Sequence, residues 1–249
     1  MGDTILSKPS VILYKSKSTL QQGLLAYFYT WRGEKPPEDL EKLKPIKKEI
    51  HPWINYVWWD KPTAGVPAEF FAVMWLGYLY VPSSGEYRFY ITTDDGSRLW
   101  IDEKLVIDAW KDQPPTTYVS DPVFLEKGYH RLKYYFYNRY AFAEAVLGWI
   151  PPVGEPGVIT QKYFRICSGD AIRFTGLPKG YGVEIIGKNV RKQCVVKNEE
   201  CNIPVSWNEL PLYGKIRIID ERGSVIHESP EELEFWCGDE IKVMVSFMK

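Results

Sequence analysis

The sequence predicts an all-β protein with two domains. Runs in which large apolar residues alternate with smaller or polar ones recur along the chain, as in 86–92 and 98–101, and a period of two is typical of half-buried strands. Turn-forming residues separate these runs at short intervals. The stretch 151–157, with three prolines and two glycines, is typical of a linker. We therefore expect one domain at 1–152 and a smaller one at 153–249.

The composition argues against several kinds of partner. The chain of 249 residues is long enough for two domains that each bury a core. Its 31 basic and 32 acidic residues give a net charge of -1, which argues against a nucleic-acid or anionic-membrane partner. No apolar run approaches the roughly 18 residues of a membrane span, so no membrane insertion is expected. Residues 1–8 lack the apolar core of a signal peptide.

The first domain is expected to be built from short strands. The run 23–31 is apolar almost throughout, which is typical of a central strand. The charged, proline-bearing stretch 33–50 is expected to be a solvated loop. Further strands are expected at 10–17, 70–81, 86–92, 98–101, 105–109, 130–138 and 145–151.

The turn Asp94–Ser97, between two of these strands, carries the strongest chemical signal. Asp and Gly tolerate the backbone angles of a tight turn, so a charged hairpin turn is one interpretation. Paired carboxylates at a strand end can also hold calcium, which prefers several oxygen ligands. Neighbouring side chains on a regular strand point to opposite faces. Asp94 and Asp95 can therefore reach one ion only where the backbone is irregular, for example at a cis peptide bond.

Several dispersed motifs accompany the aspartates: GLLAYFY (23–29), FAVMWLGYL (71–79), VPSSGEYRFY (81–90), GYHRLK (128–133) and LGWIPP (147–152). With these motifs in this order, the region 20–152 resembles the PA14 domain family. The resemblance implies a β-sandwich or barrel module that binds ligands or assembles with other copies. It also implies that Trp53, Trp58 and Trp59 mostly face the core. In the sugar-binding adhesins of the family, paired aspartates joined by a cis peptide hold calcium, and the calcium holds sugar hydroxyls; Asp94 and Asp95 occupy this position.

The same resemblance identifies the loop after strand 130–138 as the partner of the aspartates. Asn138 stands where an asparagine ligand of calcium is expected, although an asparagine at a strand end is also a common turn residue. Arg139 offers hydrogen-bond donors to a sugar. Tyr140 and Phe142 offer ring faces, and Trp110 in a neighbouring loop is counted with them. Arg139, Tyr140 and Phe142 are each equally compatible with simple loop packing.

The second domain is expected to be a small β-sandwich. It resembles small β-sandwich modules of archaeal surface proteins in short stretches, and we expect it to act as a spacer or docking domain. All four cysteines lie in it, and their spacing fits no zinc motif. Cys194 and Cys201 flank a polar hairpin tip, while Cys167 and Cys237 stand at similar strand ends. Two disulfides or free buried thiols both fit this pattern; disulfides would indicate an oxidising, extracellular setting.

Catalysis is not expected. The histidines His51, His130 and His227 are scattered and adjoin no nucleophile motif. Neighbouring Asp94 and Asp95 are too similarly placed for the acid and base of a glycosidase. Two hypotheses remain: a calcium-dependent, extracellular or surface-exposed protein that binds a glycan or glycoprotein, strengthened by display in multiple copies, or a structural protein of a cell surface, filament or virion that self-assembles and has no soluble ligand.

Overall fold

The computed structural model describes residues 10–16, 20–167 and 169–246, and nearly all regular structure in them is β. Numbered along the chain, the first fifteen strands are β1 (Ser10–Ser16), β2 (Gln21–Gln22), β3 (Leu24–Thr30), β4 (Lys47–His51), β5 (Asn55–Trp58), β6 (Phe71–Val81), β7 (Gly85–Asp94), β8 (Gly96–Ile101), β9 (Lys104–Ala109), β10 (Thr116–Val119), β11 (Val123–Leu125), β12 (Gly128–Asn138), β13 (Ala143–Ile150), β14 (Gly157–Val158) and β15 (Phe164–Ile166). The remaining strands are β16 (Ala171–Thr175), β17 (Gly182–Gly187), β18 (Val190–Val195), β19 (Glu200–Pro204), β20 (Leu212–Ile219), β21 (Val225–Glu228), β22 (Leu233–Phe235) and β23 (Glu240–Ser246). Short 3-10 turns lie at Leu40–Lys42, Gln161–Tyr163 and Trp207–Glu209.

The first compact unit, Gln21–Ile166, is a sandwich of two sheets. The eight-stranded sheet has the order β2-β15-β6-β12-β8-β9, with β3 paired to β6 and β4 to β3. The six-stranded sheet has the order β10-β7-β13-β14, with β11 paired to β7 and β5 to β13. Because alternate side chains of a strand face the same way, each sheet supplies one apolar layer. The core joins Phe28, Trp75 and Phe136 of the larger sheet to Phe89 and Leu147 of the smaller.

Strand pairing brings four strand ends to one end of this sandwich. In the six-stranded sheet Glu144 of β13 lies opposite Asp94, the last residue of β7. In the eight-stranded sheet Tyr137 of β12 lies opposite Gly96, the first residue of β8. The turn Asp94–Ser97 therefore lies beside the segment that leaves β12 at Asn138 and enters β13, although more than forty residues separate them in sequence.

The second unit has its own pair of sheets. The four-stranded sheet has the order β1-β23-β16-β19, and the five-stranded sheet has the order β18-β17-β20-β21 with β22 paired to β20. Phe174 and Ile241 of the first sheet, and Ile185 and Ile216 of the second, are fully buried. Two disulfides, Cys167–Cys237 and Cys194–Cys201, lie in this unit. They join the pairs whose strand-end and hairpin positions suggested bonds.

The boundary between the units differs from the predicted division into 1–152 and 153–249. Strand β1 belongs to the second unit, because it forms an antiparallel ladder with β23 in which Ser10 lies opposite Ser246. Strands β14 and β15 belong to the first unit, because they pair with β13 and β6. The proline-rich stretch 151–157 is thus a turn within the first unit. The first unit is inserted in the chain between two strands of the second.

One expectation about the tryptophans is also corrected. Trp58 is buried with 8% of its surface exposed, but Trp53 is 38% and Trp59 80% exposed. The alternation along β5 explains the difference for its own residues, since Trp58 faces the core while Val57 faces solvent. Trp59 follows the last residue of that strand.

Three sequence expectations fall partly outside the described residues. These are the missing signal-peptide core at 1–8, the end of the predicted strand 10–17, and the last residues, 247–249, of the predicted second domain. Among the described residues, no helix has the length and apolar character needed to cross a bilayer.

Candidate functional site

The turn between β7 and β8 has an irregular backbone. The peptide bond between Asp94 and Asp95 is cis. Beneath the turn, the hydroxyls of Thr93 and Ser97 lie 2.7 Å apart, and the hydroxyl of Tyr134 donates to Ser97 Oγ at 2.9 Å. All three side chains are fully buried. The turn therefore rests on a closed hydrogen-bond network rather than on a flexible loop.

Only glycine fits immediately after the paired aspartates. A Cβ atom on Gly96 would lie 2.3 Å from Cε1 of the Tyr137 ring and 3.0 Å from the backbone nitrogen of Lys111. The Tyr137 ring is fixed, because it is buried and its hydroxyl donates to Asp112 Oδ1 at 2.7 Å. The glycine thus allows β12 to approach the turn closely.

Backbone amides from two loops orient the carboxylate of Asp95. The Arg139 amide donates to Asp95 Oδ2 at 2.8 Å, and the Gln113 amide donates to Asp95 Oδ1 at 3.3 Å. The Gln113 side chain donates to the Asp95 carbonyl at 3.0 Å and accepts from the Tyr118 hydroxyl at 2.6 Å. Burial raises the pKa of Asp95 even though the two amides oppose this shift. The carboxylate is held in one orientation by neutral donors.

Asp94 lies in an electrostatically unfavourable place. Burial, together with the negative charges of Asp95 and Glu144, raises the pKa of Asp94 to about 6. Within the described part of the chain, neither Asp94 nor Asp95 takes part in an ion pair. A cation placed between these carboxylates would relieve their repulsion.

Asn138 leaves a buried acceptor unused beside the aspartates. Its side-chain nitrogen donates to the Ala68 carbonyl at 3.0 Å and, at 3.5 Å, to the Ala141 carbonyl. These bonds fix the amide orientation, since both partners are acceptors. The opposite atom, Oδ1, is buried and has no hydrogen-bond partner among the residues that the structure describes. A buried oxygen without a partner costs about 1–3 kcal/mol, and a cation bound at this atom would offset that cost.

These donors fit calcium by chemical type. Carboxylate and amide oxygens are the hard ligands that calcium prefers, and Asp94, Asp95 and Asn138 supply them from adjoining strand ends. In the described ranges, no three His, Cys, Asp or Glu side chains gather as a metal-binding group. Asp94, Asp95 and Asn138 do not form a group of that kind, because only two of the three side chains are carboxylates and the third is an amide.

The predicted ligand-contacting residues have different surroundings. Arg139 forms an ion pair with Asp112 at 2.6 Å and lies over the ring of Tyr140. Tyr140 is 55% exposed at the rim. Trp110 packs against Tyr137, with their ring centroids 4.7 Å apart, and is covered by Arg98. Arg139 thus contacts Asp95 through its amide, and Tyr140 follows it in the same loop, whereas Trp110 contributes mainly to packing on Tyr137.

Three residues near the aspartates were not identified from the sequence. Gln113 holds Asp95, Glu144 adds negative charge beside Asp94, and Trp59 contacts Phe142 with ring centroids 4.6 Å apart. For Gln113 and Glu144 the sequence carries no local signal, because only strand register brings them to the turn. For Trp59 the sequence carries no such signal either, because residues 53–58 are nearly all apolar and do not alternate.

The fold and this site together define a β-sandwich module that carries a paired-aspartate turn and an asparagine at the end of a neighbouring strand. The PA14 domain model matches residues 20–162, more than half of the chain. The chain belongs to the PA14 domain family.

The chain is also similar to individual known proteins. The anti-sigma-I factor RsgI3 of Acetivibrio thermocellus is 36% identical over 102 residues, which cover 40% of this chain and 16% of that protein. The chain therefore spans about a sixth of this curated relative. A PA14 sugar-binding domain from an RTX adhesin superposes with a TM-score of 0.51 at 15% identity, over 58% of this chain and 98% of the domain. An anti-sigma factor domain-containing protein superposes with a TM-score of 0.52 at 22% identity, over 91% of this chain and 90% of the other.

Proposed function

We propose that this protein is a non-catalytic, calcium-dependent carbohydrate-binding module that works outside the cell. The observation that carries the proposal is the buried Oδ1 of Asn138, which has no hydrogen-bond partner among the described residues and lies near two carboxylates whose pKa values are both raised by burial. Bound calcium would neutralise these groups and coordinate sugar hydroxyls. The two disulfides support an oxidising compartment.

The residues around the turn have distinct roles in this proposal. Asp94, Asp95 and Asn138 hold the ion, and the amides of Arg139 and Gln113 keep the Asp95 carboxylate aimed at it. The exposed ring of Tyr140 borders the ligand. The adhesin domain of similar fold is described as sugar-binding, which supports a glycan as the ligand. Display of several copies would raise a weak single-site affinity.

Calcium titration calorimetry on the chelator-treated protein tests the metal site. The wild type should bind calcium saturably, and Asp95→Asn should lose that binding while its circular dichroism spectrum stays unchanged. Asp121→Asn, a change at an exposed aspartate of the same unit, serves as the matched control and should bind normally. Equal calcium binding by wild type and Asp95→Asn would refute the proposed site.

A glycan array probed with and without calcium then tests the ligand. Calcium-dependent binding that disappears in Asp95→Asn supports the lectin function. An absence of both calcium and glycan binding, combined with self-association in sedimentation velocity, would favour the structural or assembly function instead.

The similarity to an anti-sigma-I factor supports a second proposal, which concerns the purpose that glycan binding serves. We propose that the module reports a glycan to a longer regulatory protein. Replacing the matched region of the Acetivibrio thermocellus factor with this module tests the idea. Transcription controlled by that factor should then respond to glycans that this module binds, and an unchanged response would contradict a sensing role.

A further inference from the structure

A large aromatic side chain stands in solvent beside the candidate site. Trp59 is 80% exposed, whereas the preceding Trp58 is 8% exposed. Fully burying a large apolar side chain stabilises a protein by about 1.5–3 kcal/mol. Trp59 is largely exposed, so it contributes little of this stabilisation to the core. Its ring contact is with Phe142, at a centroid distance of 4.6 Å and an interplanar angle of 64°.

Strand register places this ring pair at the same end of the sheet as the aspartates. Strand β13 pairs with β5 through Ala143 and Trp58, and with β7 through Glu144 and Asp94. Neighbouring strands lie about 4.8 Å apart, so β5 and β7 are separated by roughly 10 Å across β13. Trp59 follows Trp58 directly and therefore lies at the same end of the sheet as the paired aspartates.

The same corner is connected to the aspartates through a single loop. The loop 139–142 begins with the Arg139 amide that holds Asp95 Oδ2, and it ends with Phe142, which contacts Trp59. Val57, opposite Glu144, is 52% exposed and adds apolar surface. We call Trp59, Phe142 and Val57 the Trp59 platform.

We propose that the Trp59 platform is a second sugar subsite, which receives the ring linked to the sugar held at the aspartates. This inference rests on the proposed function, and it makes an oligosaccharide rather than a monosaccharide the preferred ligand. Aromatic rings offer flat apolar faces at little conformational cost, and these faces match the C–H faces of a sugar ring. A shared loop couples the two subsites.

The size and surroundings of the platform favour a sugar over a protein partner. Stable protein interfaces bury about 800 Å² on each side, which a platform of three side chains does not provide. Exposed Asp60 and partly exposed Glu144 flank the rings. Their carboxylates accept hydrogen bonds from hydroxyls, as a sugar ring seated on the platform requires.

An array of mono-, di- and tetrasaccharides of glucose, galactose, mannose and xylose, probed in calcium and in chelator, tests the subsite. The wild type should bind the tetrasaccharide of at least one series about tenfold more tightly than its monosaccharide. Trp59→Ala should weaken tetrasaccharide binding about five- to tenfold and leave monosaccharide binding unchanged. Trp59→Phe should keep part of the gain, because a ring remains.

Phe124→Ala is the matched control. Phe124 is 65% exposed and lies opposite Glu86, eight residues before Asp94 on β7, roughly 27 Å away along the strand. This variant should bind every sugar as the wild type does. Calcium-dependent binding in which Trp59→Ala matches the wild type at every chain length would overturn the subsite alone. If the wild type bound none of the glycans, or if Asp95→Asn bound them as tightly as the wild type, the proposed function would be overturned as well.

Discussion

At the scale of single residues, two neighbours of His130 favour its protonated form. Its Nδ1 lies 2.6 Å from Asp102 Oδ2, and its Nε2 lies 2.7 Å from the Glu126 carbonyl. Both partners accept hydrogen bonds, so this geometry favours the imidazolium form, in which both ring nitrogens donate. Burial alone would lower the pKa of His130, but Asp102 and Glu126 outweigh burial and raise it.

This raised pKa predicts a pH-dependent stability. The contribution of His130 is complete below the unfolded pKa of about 6.5, and it is lost as the pH rises through the higher folded value. His130→Gln should therefore destabilise the protein more at pH 6 than at pH 8, as measured by urea unfolding. Buried His51 has a lowered pKa, so its contribution to stability changes with pH in the opposite direction. The quantity to compare between the two pH values is therefore the difference in free energy of unfolding between wild type and variant. His227→Gln is the control; an equal loss for His130→Gln at both pH values would contradict the expectation.

At the scale of elements, strand β1 is held to the second unit by more than its ladder. Lys15 Nζ lies 2.8 Å from Oδ2 of Asp239, whose side chain is 1% exposed. The same ammonium donates to the Glu234 carbonyl and lies over the Phe235 ring. A buried carboxylate that keeps its cation is tolerated, whereas one that loses its cation is costly.

Removing the charge of Lys15 should therefore loosen the second unit. Lys15→Met keeps the apolar stem but removes the cation beside Asp239, and we expect the free energy of unfolding to fall by about 2–3 kcal/mol. Lys242→Met, at an exposed position on the paired strand β23, should cost less than about 0.5 kcal/mol. Equal losses in the two variants, measured by urea denaturation, would mean that the ion pair adds little.

The strands themselves could largely be predicted from the sequence, whereas some of their partners could not. Alternation is a local property, so β7, β8 and β12 follow from it. The pairing of β1 with β23 joins Ser10 to Ser246, and no local pattern encodes a contact across that separation. This limit explains the misplaced boundary at residue 152.

Some residues of the candidate site could likewise be predicted from the sequence, and others could not. The motif around Asp94 and Asp95 was identified from consecutive residues and from a family resemblance. Glu144 reaches Asp94 only through the register of β13 on β7, and the exposure of Trp59 depends on where β5 ends. These contributions are set by tertiary geometry, which a single sequence does not display.

At the scale of the whole molecule, the two units carry different stabilising groups. All four cysteines belong to the second unit, and the candidate calcium ligands belong to the first. A ligand that binds only a folded unit raises the stability of that unit. A disulfide stabilises the unit whose chain it closes.

Differential scanning calorimetry should accordingly resolve two unfolding transitions. Calcium should raise the midpoint of one of them, and a reducing agent should lower the midpoint of the other. Asp95→Asn should abolish the calcium shift without changing the effect of the reducing agent. A single transition that responds to both treatments would contradict this independence.

The ladder between β1 and β23 has a mechanical consequence. Ser10 and Ser246 lie directly opposite each other in an antiparallel pair, so tension applied at these two residues opens the ladder one residue pair at a time, like a zip. Once β23 has peeled away, the pull reaches Cys237 and crosses its bond to Cys167. From there tension runs back into the inserted PA14 unit, and the chain between the two cysteines carries none of it. Under tension, the second unit would therefore extend by the length released from β1 and β23. Only after that extension would the force act on the sandwich that carries the paired aspartates.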